Sequence, residues 1–496
     1  MDLSVLGAAA ALVLTPAVLA TMLAFAVAGL VVGAIPGLTA TLGVALLVPA
    51  TLTLDPVPAL AGLMTLAATA IFAGDLPGAL LRIPGTPASA AYVDAAHALS
   101  RQGQAGRALG LGLLCAALGG VAGALALLTL APVLARLALC LSTVEVFWLA
   151  LLGLSAAALV ARAHPLKGAV SLLVGLALGC VGLDPVSGHP RLTGGLEALS
   201  GGVGVIPVMI GLFALPEVAR GIGTRAAPRG LPGMAPGWGA AVARDLWRQR
   251  GRIAVGCGLG TVVGAVPGAG ADIAAYLARA VTDHGGGGAA RDPGDAEAAV
   301  IAPAGAANNA AIGGALVPAT VVGIPGDSLT AVVIGAMTLH GLTPGPTVFL
   351  VQPERITAVV LAFLLANLML VPVGLLAIRS ARVVMRVPRA VLAPIILVVC
   401  LVGAYAVGGT PEAVVVMLAA GLLGIALEAA GLPLAPLVLG LVLGPTVEET
   451  LLVSLLKAGG DPAILVSRPG AVALATLTLG LWGAGLGMTA RRHRRS

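Results

Sequence analysis

Between Asp2 and Asp55 the chain carries no charged side chain. A segment of that length and character has one natural solvent, the hydrocarbon of a bilayer, because a water-facing surface needs charge to stay in solution. The rest of the chain is similar. Only 10% of its 496 residues are charged, against roughly a quarter in soluble domains, and 59% are hydrophobic. The apolar start has no basic leader region, so it reads as a first membrane helix and not as a removed signal peptide. Gly (70) and Pro (34) are abundant, yet disorder needs low hydrophobicity and is excluded.

Crossing a bilayer takes about 20 apolar residues. Candidate spans lie near 6–31, 57–79, 107–131, 144–162, 166–184, 201–221, 250–281, 300–323, 326–341, 354–378, 388–407, 409–430, 433–455 and 469–489. Several are short or broken. The expected fold is an all-α polytopic membrane protein with about 12 transmembrane helices plus re-entrant or broken helices. The formal net charge is +6, and the basic residues form clusters between apolar runs. One cluster runs from Arg220 to Arg252, one from Arg379 to Arg389, and one over Arg491–Arg495. By the positive-inside rule all three face the cytoplasm, which places the C-terminus inside. Aromatics are only 3%, so a nucleic-acid surface is not indicated.

The chain repeats itself. GAIPGLTATLG (33–43) matches GAVPGAGADIA (264–274), and RIPGTPASA (82–90) matches GIPGDSLTA (323–331), in the same order. The offsets are 231 and 241 residues. This divides the chain into a first repeat (1–222), a basic cytoplasmic loop (223–250), a second repeat (251–455) and a final helix with a basic tail (456–496).

Each matched motif puts Pro-Gly inside an apolar segment. Pro removes a backbone donor and Gly tolerates unusual dihedrals, so the helix is expected to break there. In lipid the freed groups must be satisfied by protein, water or a ligand. A helix restarting after the break aims its N–H groups, and partial positive charge, back at it, which suits an anion. Paired breaks at matching places are also the best sequence pointer to a transporter's substrate site. The candidate substrate-binding residues are Pro36, Gly37, Thr39 and Thr41; Pro84, Gly85, Thr86 and Ser89; Pro267, Gly268 and Gly270; and Pro325, Gly326, Ser328 and Thr330. Asn308 and Asn309 join them, since adjacent amides in an apolar stretch need partners. Acids within the membrane are functional candidates by default. Asp272 and Asp327 are the best placed for cation coupling, while Asp75, in FAGDLPG, and Asp94 are further candidates. A lone His340 reads as a satisfied interface residue.

No HExxH, GxSxG or P-loop occurs, and the five cysteines lie far apart with no CxxC. A catalytic set, a metal site, a cofactor and ATP hydrolysis are therefore not expected.

These motifs, together with GLDPVSGHPRLTGG (182–195), IGLFALPEV (210–218), ANNAAIGG (307–314), VPATVVGIPGDSLTAVVIGAMTLHGLTPGPTVF (317–349) and GLPLAPLVLGLVLGPTVEE (431–449), resemble the large permease subunit of the tripartite tricarboxylate transporters. The resemblance implies a bacterial inner-membrane permease working with a small four-helix membrane subunit and a periplasmic solute-binding protein. It implies import of small carboxylates driven by a Na⁺ or H⁺ gradient. A passive anion channel or facilitator of the same fold is the alternative, and a membrane enzyme the least supported reading.

Overall fold

The computed structural model describes residues 3–35, 38–160, 165–184, 188–221, 237–283, 294–384 and 389–493. Pro36 and Gly37, Arg225 and Arg229 of the basic loop, Arg386, Arg494 and Arg495, and the Gly-rich residues 284–293 lie outside them.

The fold is helical, as expected. Helices α1 (Leu3–Val13) and α2 (Pro16–Ala34) divide what the sequence presents as one apolar span. Pro16 stands at the first turn of α2, where its missing N–H costs nothing. After the first break comes α3 (Ala40–Leu47), then α4 (Pro56–Ala73) and α5 (Asp75–Leu81), which meet at Gly74. Beyond the second break lie α6 (Val93–Arg101), α7 (Ala105–Ala138), α8 (Thr143–Val160), α9 (Pro165–Gly179) and α10 (Val205–Gly221). A short antiparallel hairpin, β1 (Gly182–Leu183) on β2 (Pro190–Arg191), joins α9 to α10.

The second half holds α11 (Trp238–Gly264), α12 (Gly270–Asp283), α13 (Asp295–Val322), α14 (Ser328–Leu339), α15 (Val348–Val351), α16 (Pro353–Val384), α17 (Arg389–Gly408), α18 (Pro411–Ala429) and α19 (Leu434–Lys457), followed by α20 (Pro469–His493). Helix α11 begins inside the basic stretch that reads as a loop. Among the described residues seven spans are long and apolar enough to cross a membrane, and seven more apolar helices are shorter. The expectation of about twelve crossings therefore turns on how many of the shorter helices complete a span.

Helix α2 shows how these segments divide their faces. Leu19, Leu23, Val27 and Val31 point outward every fourth residue, a stripe suited to lipid. The opposite stripe, Met22, Ala26, Gly29 and Gly33, is buried. Lipid tails are as apolar as leucine, so such helices are held by close backbone approach. A Cβ on Gly33 would lie 2.1 Å from the Ala70 carbonyl oxygen, and one on Gly29 would lie 2.6 Å from that of Leu66. The second half repeats both contacts between α11 and α13: Gly264 against the Ala311 carbonyl at 2.3 Å and Gly260 against that of Ala307 at 2.5 Å. The glycines are 231 residues apart and their partners 241, the same offsets as the sequence motifs. The internal repeat is thus a repeat of contacts.

The halves also pack crosswise. Helix α7 lies on α13 and α16 on α4; α10 lies on α17 and α18, and α19 on α8 and α9. Each half completes the other's core. At one end of this core, Arg107 on α7 bonds both oxygens of Asp245 on α11, at 2.7 and 2.8 Å, and reaches Asp295 on α13 at 3.2 Å.

Candidate functional site

Three of the four breaks can be followed residue by residue. In the first, Ile35 ends α2 and Thr39 caps α3, accepting a hydrogen bond from the Leu42 N–H at 3.2 Å. That is the N-cap expected of a helix restart. Thr39 and Thr41 are half-buried.

In the second break Pro84 is exposed while Gly85 and Ser89 are buried. The backbone N–H of Thr86 donates to Ser89 Oγ at 3.2 Å, and the N–H of Ser89 donates back to Thr86 Oγ1 at 3.1 Å. The fourth break has the same reciprocal box. The Thr330 N–H donates to Asp327 Oδ1 at 2.8 Å, and the Asp327 N–H donates to Thr330 Oγ1 at 3.0 Å. Positions 86 and 327, and 89 and 330, are related by the repeat offset. Capping boxes satisfy N–H groups that a helix start leaves free. The two differ in charge: the first-half box is neutral and the second-half box carries a carboxylate.

At the third break Gly268 and Gly270 take positive φ, +80° and +56°, which only glycine adopts without strain. The Gly268 N–H donates to the Gly326 carbonyl at 2.7 Å, tying the third break to the fourth. A Cβ on Gly270 would lie 3.2 Å from that of Asp327. Pro267 and Ile324, one from each break, both pack toward Gly153 on α8. The side chain of Asp272 lies outside what the structure describes.

The breaks converge across the halves. Thr41 Oγ1, in the first turn of α3, lies 3.5 Å from Ser328 Oγ, the first residue of α14. On the other side of the repeat, α12 packs on the turn Ser89–Ala91, and Arg279 Nη1 donates to the Ala91 carbonyl at 2.6 Å. The first motif of the first half thus meets the second motif of the other, and the helix that follows the third break meets the turn that follows the second. Pro325, Gly326 and Thr330 are buried behind this junction.

The asparagines do not join it directly. Asn308 Nδ2 donates to the Tyr92 hydroxyl at 3.3 Å, and that hydroxyl donates to Asp75 Oδ1 at 2.7 Å. Asn309 is fully buried, and neither atom of its amide has a hydrogen-bond partner among the described residues. Tyr92 was not visible as a candidate in the sequence. It is one of only three tyrosines, and it directly follows the second break. His340 caps the end of α14, and its Nε2 sits 2.9 Å from Thr51 Oγ1.

The 182–195 motif is elsewhere. Its β2 residue Arg191 holds both oxygens of Glu448 on α19, with Nη2–Oε2 at 2.9 Å, and reaches Asp184 at 3.1 Å. The hydrogen bonds and charge of Glu448 push the Arg191 guanidinium's pKa up, so the arginine stays charged.

The profile of the tripartite tricarboxylate transporter TctA family matches residues 19–439, most of the chain and all four breaks. The chain belongs to this family. An Agrobacterium vitis protein described as an uncharacterized 52.8 kDa protein in the TAR-I ttuC' 3' region is 32% identical over 458 residues, which is 91% of this chain and 89% of that one. A second protein of the same organism, described as uncharacterized and in the TAR-II ttuC' 3' region, is 32% identical over 225 residues, 45% of this chain and 90% of its own length. No solved structure matches. TctA membership makes the chain one component of a transporter of several parts, built from apolar helices that pass the membrane more than once.

Proposed function

We propose that the chain is the permease subunit of a binding-protein-dependent secondary transporter that imports a small di- or tricarboxylate by cation symport across a bacterial inner membrane. The carrying observation is the meeting of two hydroxyl-bearing helix starts, Thr41 on α3 and Ser328 on α14, from opposite halves. Two N-termini aimed at one junction give N–H donors and partial positive charge for a carboxylate. Thr39, Pro84, Gly85, Thr86, Ser89, Pro267, Gly268, Gly270, Pro325, Gly326 and Thr330 shape or cap the breaks around it; Pro36 and Gly37 of the first motif belong to the same proposed site, and Asn308 and Asn309 are proposed to serve it from α13.

The charge difference between the two capping boxes supports symport over passive flow. A carboxylate substrate beside Asp327 is repelled unless a cation or proton accompanies it. The neutral Thr86 box suits the anion, and Asp327, with Asp272 in the first turn of α12, suits the cation. A small four-helix membrane subunit and a periplasmic solute-binding protein complete the assembly, with the C-terminus of this chain in the cytoplasm.

The test is uptake of radiolabelled citrate and other small carboxylates by vesicles carrying the chain with both partners. Uptake above equilibrium that needs the binding protein and one ion gradient is the expected result. Uptake that only equilibrates and ignores both gradients would establish a facilitator instead.

A further inference from the structure

Asp75 is 6% exposed and sits where α4 and α5 meet. Its one hydrogen-bond partner among the described residues is the Tyr92 hydroxyl, and no Lys or Arg pairs with it there. Its second oxygen, Oδ2, lies over Gly112 of α7, 3.5 Å from where a Cβ on that glycine would stand. Asp75, Ser89, Tyr92 and Gly112 line a narrow cleft with room for about one water molecule.

The charged groups around it are committed elsewhere. On α6, Asp94 pairs with Arg82 at 2.7 Å, and His97 Nδ1 lies 3.1 Å from the Ala79 carbonyl. On α7, Arg107 is held by Asp245 and Asp295, and Cys115 is buried. On α12, Arg279 bonds the Ala91 carbonyl. Helix α13 presents the neutral Asn308, and Asp295 and Glu297 stand at its far start. Helices α2 and α4 contribute no charge. An ionised carboxylate in this setting has no counter-charge, and the membrane interior penalises that state unless a cation neutralises it. A single carboxylate beside a phenol and a water-sized cleft offers too few oxygens to replace the hydration shell of a metal cation. It is sufficient for a proton.

We infer that Asp75 is a proton-binding site of the transporter, separate from the Asp327 break, with the proton taken on Oδ2 and given up from the same atom. The position couples it to the substrate breaks. Asp75 follows Gly74, on which Gly85 of the second break rests so closely that a Cβ on Gly85 would lie 2.4 Å from the Gly74 Cα. Through Tyr92 and Asn308 it reaches α13 of the other half. Charging or neutralising Asp75 therefore acts on the second break and on the contact between halves together.

This inference rests on the symport reading. Its test uses vesicles with both partners and the carboxylate that the wild type takes up, and compares wild type with Asp75→Asn, an isostere of the protonated acid. Two modes are measured: accumulation under an imposed inward proton gradient, and exchange of external label for preloaded unlabelled substrate. Wild type is expected to do both. Asp75→Asn is expected to lose gradient-driven accumulation and keep exchange, which also shows that it is folded and inserted. Accumulation by Asp75→Asn equal to wild type, or loss of its exchange, would overturn the assignment. Wild-type uptake driven by Na⁺ alone and indifferent to a protonophore would overturn the assignment while leaving carboxylate symport standing. Failure of wild type to move any carboxylate would overturn the symport reading and the proton site with it.

Discussion

Thr41 Oγ1 and Ser328 Oγ stand 3.5 Å apart, although 287 residues separate them in the chain. The pair joins the first break of one half to the second break of the other, and each hydroxyl sits at a helix start. A hydrogen bond to a charged group contributes about 1.5–3 kcal/mol. Thr41→Val and Ser328→Ala are therefore each expected to raise the KM for carboxylate uptake by about tenfold, with the double variant falling short of the product because the two share one partner. Uptake kinetics at matched amounts of protein in the membrane check this.

Gly85 and Gly326 are the corresponding glycines of the two IPG motifs, and neither has room for a side chain. A Cβ on Gly326 would lie 2.6 Å from the Ala315 Cβ and 2.7 Å from the Gly264 carbonyl oxygen. Alanine at either position is expected to cost about 1–3 kcal/mol in stability, and valine is expected to abolish uptake. Gly258 has nothing within 4 Å, so Gly258→Ala should leave the melting temperature in detergent unchanged or raise it.

The ion pairs divide by burial. Arg107 and Asp245 have side chains only 9% and 2% exposed, whereas Arg82 and Asp94 are 65% and 66% exposed. Removing one partner of a buried pair strands the other charge, so Asp245→Ala should destabilise by about 3–5 kcal/mol. Asp94→Ala should change stability by less than about 1 kcal/mol. Thermal unfolding of the purified variants separates the two.

His340 follows α14, and its Nε2 sits 2.9 Å from Thr51 Oγ1. Glutamine can keep a hydrogen bond to that hydroxyl and does not titrate. His340→Gln is therefore expected to leave the pH dependence of uptake unchanged between about pH 6 and 8. A shift of the profile in that window would make His340 a participant in coupling.

Much of this architecture is legible in the sequence because a membrane chain has few ways to hide a break. The motif offsets found by comparing 33–43 with 264–274 and 82–90 with 323–331 reappear in the contacts Gly33–Ala70 and Gly264–Ala311. Other features are not legible. The division of α1 from α2 is marked only by the pair Thr15-Pro16, set in a long apolar run. The start of α11 at Trp238 lies in a stretch whose basic composition masks its helical character. The Asp75–Tyr92–Asn308 chain unites three elements that lie far apart in sequence, and local periodicity carries no trace of it. The Thr86–Ser89 box was readable in principle, since its spacing is that of a capping box and matches Asp327–Thr330.

Substrate protection of the junction is the most direct measurement. With the five native cysteines replaced, single cysteines at positions 41 and 328 are labelled by a charged thiol reagent, with and without the transported carboxylate. A carboxylate held between α3 and α14 should slow labelling at both positions, with the half-effect at the concentration equal to KM. Labelling at both positions that proceeds unchanged at saturating substrate, with uptake intact afterwards, would contradict a carboxylate site at the meeting of these two helix starts.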